Sequence, residues 1–289
     1  NDNEVMAVAD VLRNTQQTDE AYAYLSKART ARNNPALDGA WFSLAAVHDD
    51  TEVVSAYLAE KGASLSANAL NDGYYLSMEH GKTDTATAIA EYLYNKDKTN
   101  ANRNLIAQAY LKAGRYEEVL PMLRENRDAT VQSSDDYLFV LAKLAKKNQT
   151  YGKELGDYGV NILNQSIDKK RRMNIIYALV EGGQQGRVMP YVKDLALSNP
   201  KEWAYLYAGY LRKSSGQGEV NDFWMEVLAR HSGDTELKKQ IAYNVLEQGQ
   251  KETAIKLFKE LAANEAPDSA AVKQLMYLWS PIASEDGVQ

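Results

Sequence analysis

The chain has 289 residues with 33 Lys and Arg against 39 Asp and Glu, a net charge of −6, and it contains no Cys, three His, six Pro and 19 Tyr. Cys-built zinc sites, iron–sulfur clusters, thiol catalysis and disulfide scaffolds are thereby excluded, and a 45% hydrophobic content excludes disorder and collagen. The acidic balance argues against broad nucleic-acid binding, which needs a basic face, and no apolar run approaches the roughly 18 residues that would span a bilayer.

From the N-terminus, Asn1-Asp2-Asn3-Glu4 shows neither an initiator Met nor a basic-then-apolar leader, which predicts a processed product or a fragment. Absence of Cys suits an exported chain, where stray thiols oxidise, and it suits many cytosolic chains too. Length alone would suggest about two domains, but the elements in chain order give a different organisation. The clearest stretch is Asn104–Asn126, NLIAQAYLKAGRYEEVLPMLREN. Ile106, Ala107 and Tyr110 share one helix face, Gly114 breaks the pattern, and Val119 and Leu123 begin a second amphipathic helix. The same series returns as Ile175, Ile176, Leu179, Gly183, Val188, Val192, and again as Ile241, Ala242, Val245, Gly249, Ala254, Phe258.

Aligning the break gives a ladder in chain order: Gln16, Asp50, Gly81, Gly114, Asn148, Gly183, Gly216 and Gly249, with gaps of 31 to 35 residues. Gly or Asn suits the slot, because the chain leaves one helix in a left-handed conformation before starting the next. Small residues five positions later (Ala21, Ala86, Ala254) predict close approach of the paired helices. A constant period of this length marks a solenoid rather than two domains. The predicted fold is therefore all-α, with residues 1–289 forming a single array of about eight helix–turn–helix repeats and a partial further helix over 268–279. Asp135-Asp136 is expected to cap a helix starting at Tyr137, and Gly216-Gln217-Gly218 is expected to be a loop.

No catalytic constellation is found. His48, His80 and His231 are far apart, with no partner at i+4, and there is no phosphate-binding Gly-Lys loop or nucleophile elbow. The expectation is a non-enzyme with no cofactor and no metal.

The period and the hairpin resemble the tetratricopeptide repeat family. Trp41-x2-Leu44 and Trp203-x2-Leu206-x3-Tyr210 match its opening, Gly114-x-Tyr116 its turn, Ala254-x3-Phe258 its second helix, and Pro35, Pro200 and Pro267 its repeat end. The resemblance implies a right-handed superhelical solenoid whose first helices line a concave partner-binding surface. Its inner positions fall on Asn71 and Tyr75, Asn104 and Gln108, Lys170, Asn174 and Tyr177, then Tyr205 and Tyr243, with Asn68 and Asp72 alongside. The rings at these positions are either contacts or interhelix packing. Arg171 belongs to the run Lys169-Lys170-Arg171-Arg172, which opens a helix unfavourably for its dipole. That run either invites an anionic neighbour or is a solvated surface answered by nearby acids. The carboxylate clamp of intracellular co-chaperone relatives would use Lys170 and Asn174, but preceding units supply no matching pair. Finally, Leu275-Met276-Tyr277-Leu278-Trp279-Ser280-Pro281 is similar to a stretch in the periplasmic arrays of bacterial exopolysaccharide-export scaffolds. That likeness implies a periplasmic scaffold with protein partners, among them a polysaccharide-modifying enzyme or envelope component. The alternative is a cytoplasmic adaptor or co-chaperone binding short peptides.

Overall fold

A computed structural model describes residues 1–32, 34–263, 266 and 269–279. The side chain of Trp279, and Pro267, Ser280 and Pro281, lie outside the described residues. Within them the chain is all-α, with seventeen α-helices, one short 3₁₀ turn at Gly62–Ser64 and no strand. The helices fall into two compact units, residues 1–183 and 184–289.

The first unit holds α1 (Asp2–Asn14), α2 (Thr18–Ala31), α3 (Pro35–His48), α4 (Thr51–Lys61), α5 (Ala67–Glu79), α6 (Thr83–Lys96), α7 (Asn100–Ala113), α8 (Tyr116–Asn126), α9 (Val131–Ala145), α10 (Gln149–Leu163) and α11 (Lys169–Glu181). Odd-numbered helices lead each hairpin and even-numbered ones trail. The two kinds start differently. Every leading helix here is capped by a side chain on its first-turn N–H groups: Asn1, Asn34, Ser66, Thr99, Thr130 and Asp168. Such a cap answers donors that have no intrahelical acceptor. Trailing helices α2, α6 and α8 instead follow a left-handed residue, with Gln16 at φ 61°, Gly81 at 73° and Gly114 at 71°. There the next N–H reaches back five residues, from Gln17 to Leu12 O, Lys82 to Ser77 O and Arg115 to Tyr110 O, at 2.8–2.9 Å. This closes the preceding helix with its own backbone.

The ladder marks these turns, and Gly183, Gly216 and Gly249 also have positive φ. Asp50 and Asn148 do not. Both have extended backbone, φ −71° and −147°, and stand at the N-terminus of the trailing helix, where Asn148 accepts from the Thr150 N–H. The left-handed expectation fails at Asn148 because its side chain caps the helix where Gly must use its backbone, while Asp50 takes the same N-cap place with no side-chain cap hydrogen bond. The Asp135-Asp136 cap is also overturned. α9 starts at Val131 behind Thr130, whose hydroxyl accepts from Ser133 N–H, so both acids lie inside the helix.

The core follows the hairpins. Ala21 and Ala86 are fully buried at the hairpin crossings, between rows of Leu25, Leu37, Phe42, Leu58, Leu70, Ile89, Leu141 and Ile176. Gly73 abuts the Phe42 ring, and Gly62 lies where an added Cβ would come within 2.6 Å of the Tyr92 ring.

The second unit contains α12 (Gln185–Ser198), α13 (Pro200–Ser214), α14 (Gln217–Arg230), α15 (Thr235–Glu247), α16 (Lys251–Ala262) and α17 (Ala270–Trp279). Gln217 and Gly218 belong to the first turn of α14, so only Gly216, at φ 96°, is non-helical in the expected loop. Trp203, Trp224, Ile241, Ala254 and Phe258 fill the core, and Leu278 brings α17 into it.

Candidate functional site

Within the first unit, the two sides of the hairpins differ in how their rings are used. On the trailing side, arginines lie over rings and pair with acids. Arg29 of α2 sits 3.7 Å above Trp41 and 5.2 Å from Tyr57, and pairs with Asp38 at 3.0 Å. Arg115 lies 4.3 Å from Tyr110 and pairs with Glu91 and Glu118. Further along, Arg127 covers Tyr137 and Tyr158, while Arg124 of α8 makes two bonds of 2.8 and 2.9 Å to Glu154 of α10. Tyr137 also donates to Glu154. The Arg124 guanidinium holds the Glu154 carboxyl below its usual range. These rings join one helix to the next.

On the leading side, α9 and α11 enclose a cavity of about 290 Å³ lined by Asp135, Leu138, Phe139, Ala142, Asn174, Ile175, Tyr177, Ala178 and Glu181. Phe139 is 42% exposed and Tyr177 54%. Lys143 Nζ lies 5.0 Å from the Phe139 ring and 2.7 Å from Glu181 Oε1, which also accepts from Lys146 at 3.0 Å. Those two ammonium groups hold the Glu181 carboxyl low. At the other end, Arg171 pairs with Asp135 at 3.2 Å and donates to Ser134 Oγ at 3.0 Å. The groove thus has an apolar, ring-edged centre between two charged ends.

Of the residues read as inner positions, Asn174 and Tyr177 line this groove and Arg171 closes one end. Lys170 is exposed one helical turn before Asn174. The others stand elsewhere. Tyr75, 58% exposed, leans edge-on against Tyr74 in α5, and Asn71 beside it is half-buried with its Oδ1 unpartnered. Asn104 and Gln108 are exposed on α7. Asn68 and Asp72 border a second trough of about 380 Å³, formed by α1, α3 and α5 and floored by Ala36, Gly39, Ala40 and Ser43. In the second unit Tyr205 lies edge-on to Trp224 and is half exposed, whereas Tyr243 is half-buried against Phe258. The basic run at 169–172 meets acids, through Asp135 and the Asp168 cap. Sequence reasoning missed Phe139, Lys143 and Lys146. Their signal was the spacing from Asp135, which places Phe139, Lys143 and Lys146 at i+4, i+8 and i+11 on one helix face.

Among the described residues no group of His, Asp and Glu could hold a metal ion, and no helix is long and apolar enough to cross a membrane.

Fold and site together define an all-α protein of repeated helix hairpins with an open, aromatic-edged groove on its leading helices. No family profile and no curated protein matches the chain. A solved structure to which it is similar is that of Naa15/Naa10 bound to HypK-THB, at 11% sequence identity and a TM-score of 0.29, over 95% of this chain and 49% of that one. The chain therefore spans about half the length of that relative.

Proposed function

We propose that this protein is a non-catalytic scaffold that recruits protein partners through its leading helices, with the α9–α11 groove as a docking surface. The observation that carries the reading is the pair Phe139 and Tyr177, large apolar groups left open to solvent on both walls of one cavity. Exposed rings grouped around a concavity are what partner surfaces use. Its setting, on this reading, is the bacterial periplasm, in an envelope assembly such as exopolysaccharide secretion, with a polysaccharide-modifying enzyme or envelope component as partner. The Cys-free composition and the Leu275–Pro281 stretch support that setting.

The test is site-directed photo-crosslinking in the native host from the whole gene product. Benzoylphenylalanine in place of Phe139 or Tyr177 should give a discrete protein adduct, while the same group in place of Asn161, exposed on α10, should not. Equal adducts from both sides, or none from the groove, overturn the docking surface. Cell fractionation of the same strain tests the compartment, and recovery in the cytoplasm would favour the adaptor reading.

A further inference from the structure

The groove's charges say what class of segment it takes. On α11, Lys170, Asn174, Tyr177 and Glu181 fall at i, i+4, i+7 and i+11, one continuous face. The matching face of α9 runs from Asp135 through Phe139 and Ala142 to Lys146. Each end carries more positive than negative charge. At one end two ammonium groups, Lys143 and Lys146, share the single carboxylate of Glu181. At the other, the run Lys169–Arg172 sets four cationic side chains against the three carboxylates of Asp135, Asp136 and Asp168, with Arg171 paired to Asp135, Asp168 accepting from the Arg171 N–H and Lys170 exposed. Both surpluses are local, since the whole chain is net −6. The centre between them is apolar. From Lys170 to Glu181 is about 16 Å along the helix axis, the reach of about five extended residues.

We infer that the α9–α11 groove binds an internal, extended protein segment in which one aromatic or large aliphatic residue is flanked on both sides, two residues away, by Asp or Glu. This rests on the docking reading above and adds the chemistry of the occupant. The central side chain enters between Phe139 and Tyr177, and the two carboxylates meet the basic ends. Because both ends are basic, neither is reserved for a chain terminus.

The test uses two peptides blocked at both ends, acetyl-Gly-Glu-Ala-Phe-Ala-Glu-Gly-amide and its counterpart with Lys in place of Glu. Each is titrated into the isotope-labelled protein and followed by amide NMR. The acidic peptide should shift amides of α9 and α11 and bind at least about tenfold tighter than the lysine peptide, with the preference shrinking as salt is raised. The double variant Lys146→Glu with Lys170→Glu should remove that preference. Both lysines are exposed and Lys143 still serves Glu181, so an unchanged melting curve verifies the fold. Equal binding of the two peptides, shifts away from α9 and α11, binding of neither peptide, or a preference that survives the double variant would each overturn the inference. A lysine peptide that binds the groove better also overturns it, while leaving the docking surface itself standing. Loss of the crosslinks from Phe139 and Tyr177 is the separate result that removes the docking surface.

Discussion

Tyr137 and Tyr177 are the same residue type on successive leading helices of one unit, yet they do opposite things. Tyr137 is fully buried, covered by Arg127, edge-on to Tyr158 and hydrogen-bonded to Glu154. Tyr177 is more than half exposed and lines an open groove. Around Trp41, Tyr110, Tyr137 and Tyr158 a guanidinium lies over the ring and a carboxylate pairs with that guanidinium, which ties each ring into the packing of the hairpins. At the α9–α11 groove Lys143 lies 5.0 Å from the Phe139 ring and pairs with Glu181, yet Phe139 and Tyr177 keep 42% and 54% of their surface open to solvent. Ring content therefore does not locate a binding surface. What locates it is a ring whose polar surroundings are satisfied without burying it.

The largest test of this contrast is Tyr137→Ala. Removing a fully buried ring and its hydroxyl leaves a cavity between α8, α9 and α10, and should cost about 3–5 kcal/mol in urea unfolding. A loss under about 1 kcal/mol would mean that the trailing side is not held by its rings, and the comparison would fail.

Next is Glu154→Gln, which keeps the shape and removes the charge that Arg124 grips. It should cost about 1 kcal/mol at neutral pH. Its pH dependence is the sharper readout. Because the folded protein holds this carboxyl below its ordinary value of 4.5, the ionised group stabilises the fold fully above that value. That stabilisation is lost as pH falls through the lower folded value. The variant should therefore lose less stability than the parent between neutral pH and about pH 3. Parallel acid curves would show that the α8–α10 tie contributes nothing.

These two sides were not equally legible in the sequence. The turn ladder was, because a left-handed residue closing a helix leaves a local mark. Six of its eight positions are the positive-φ residues among those described. Asp50 and Asn148 carried the right spacing with the other solution, a residue that starts the next helix. The groove was read only on its α11 wall, since the unit around Asn148 follows the repeat pattern of the chain poorly and the α9 face went unread. The fate of each Tyr could not be read at all. Tyr74 and Tyr75 are neighbours, one 1% and the other 58% exposed. A helix turns its side chains by about 100° per residue, so a small change of register exchanges inside for outside.

A smaller test addresses how the trailing side is assembled. Gly114 at φ 71° places Arg115 directly after the turn, where it stacks on Tyr110 and reaches Glu91. Gly114→Ala should cost about 1 kcal/mol, because a Cβ is strained in that conformation. Asn148→Gly, at the extended turn, should cost only a few tenths, since Gly is a tolerable N-cap. Equal losses at the two turns, measured by thermal unfolding, would erase the distinction between them.

The smallest expected change in stability is the most informative about function. Tyr177→Ala removes a ring that is mostly in water, so its unfolding midpoint should stay within about 0.5 kcal/mol of the parent. The crosslink from position 139 across the groove should nevertheless disappear, because the partner loses one of the two walls that grip its side chain. Stability and binding then separate at Tyr177, whereas at Tyr137 any loss of binding is expected to come with unfolding. If Tyr177→Ala destabilises the protein as much as Tyr137→Ala does, Tyr177 belongs to the same mortar as the trailing-side rings. The open groove would then be a packing feature of the hairpins.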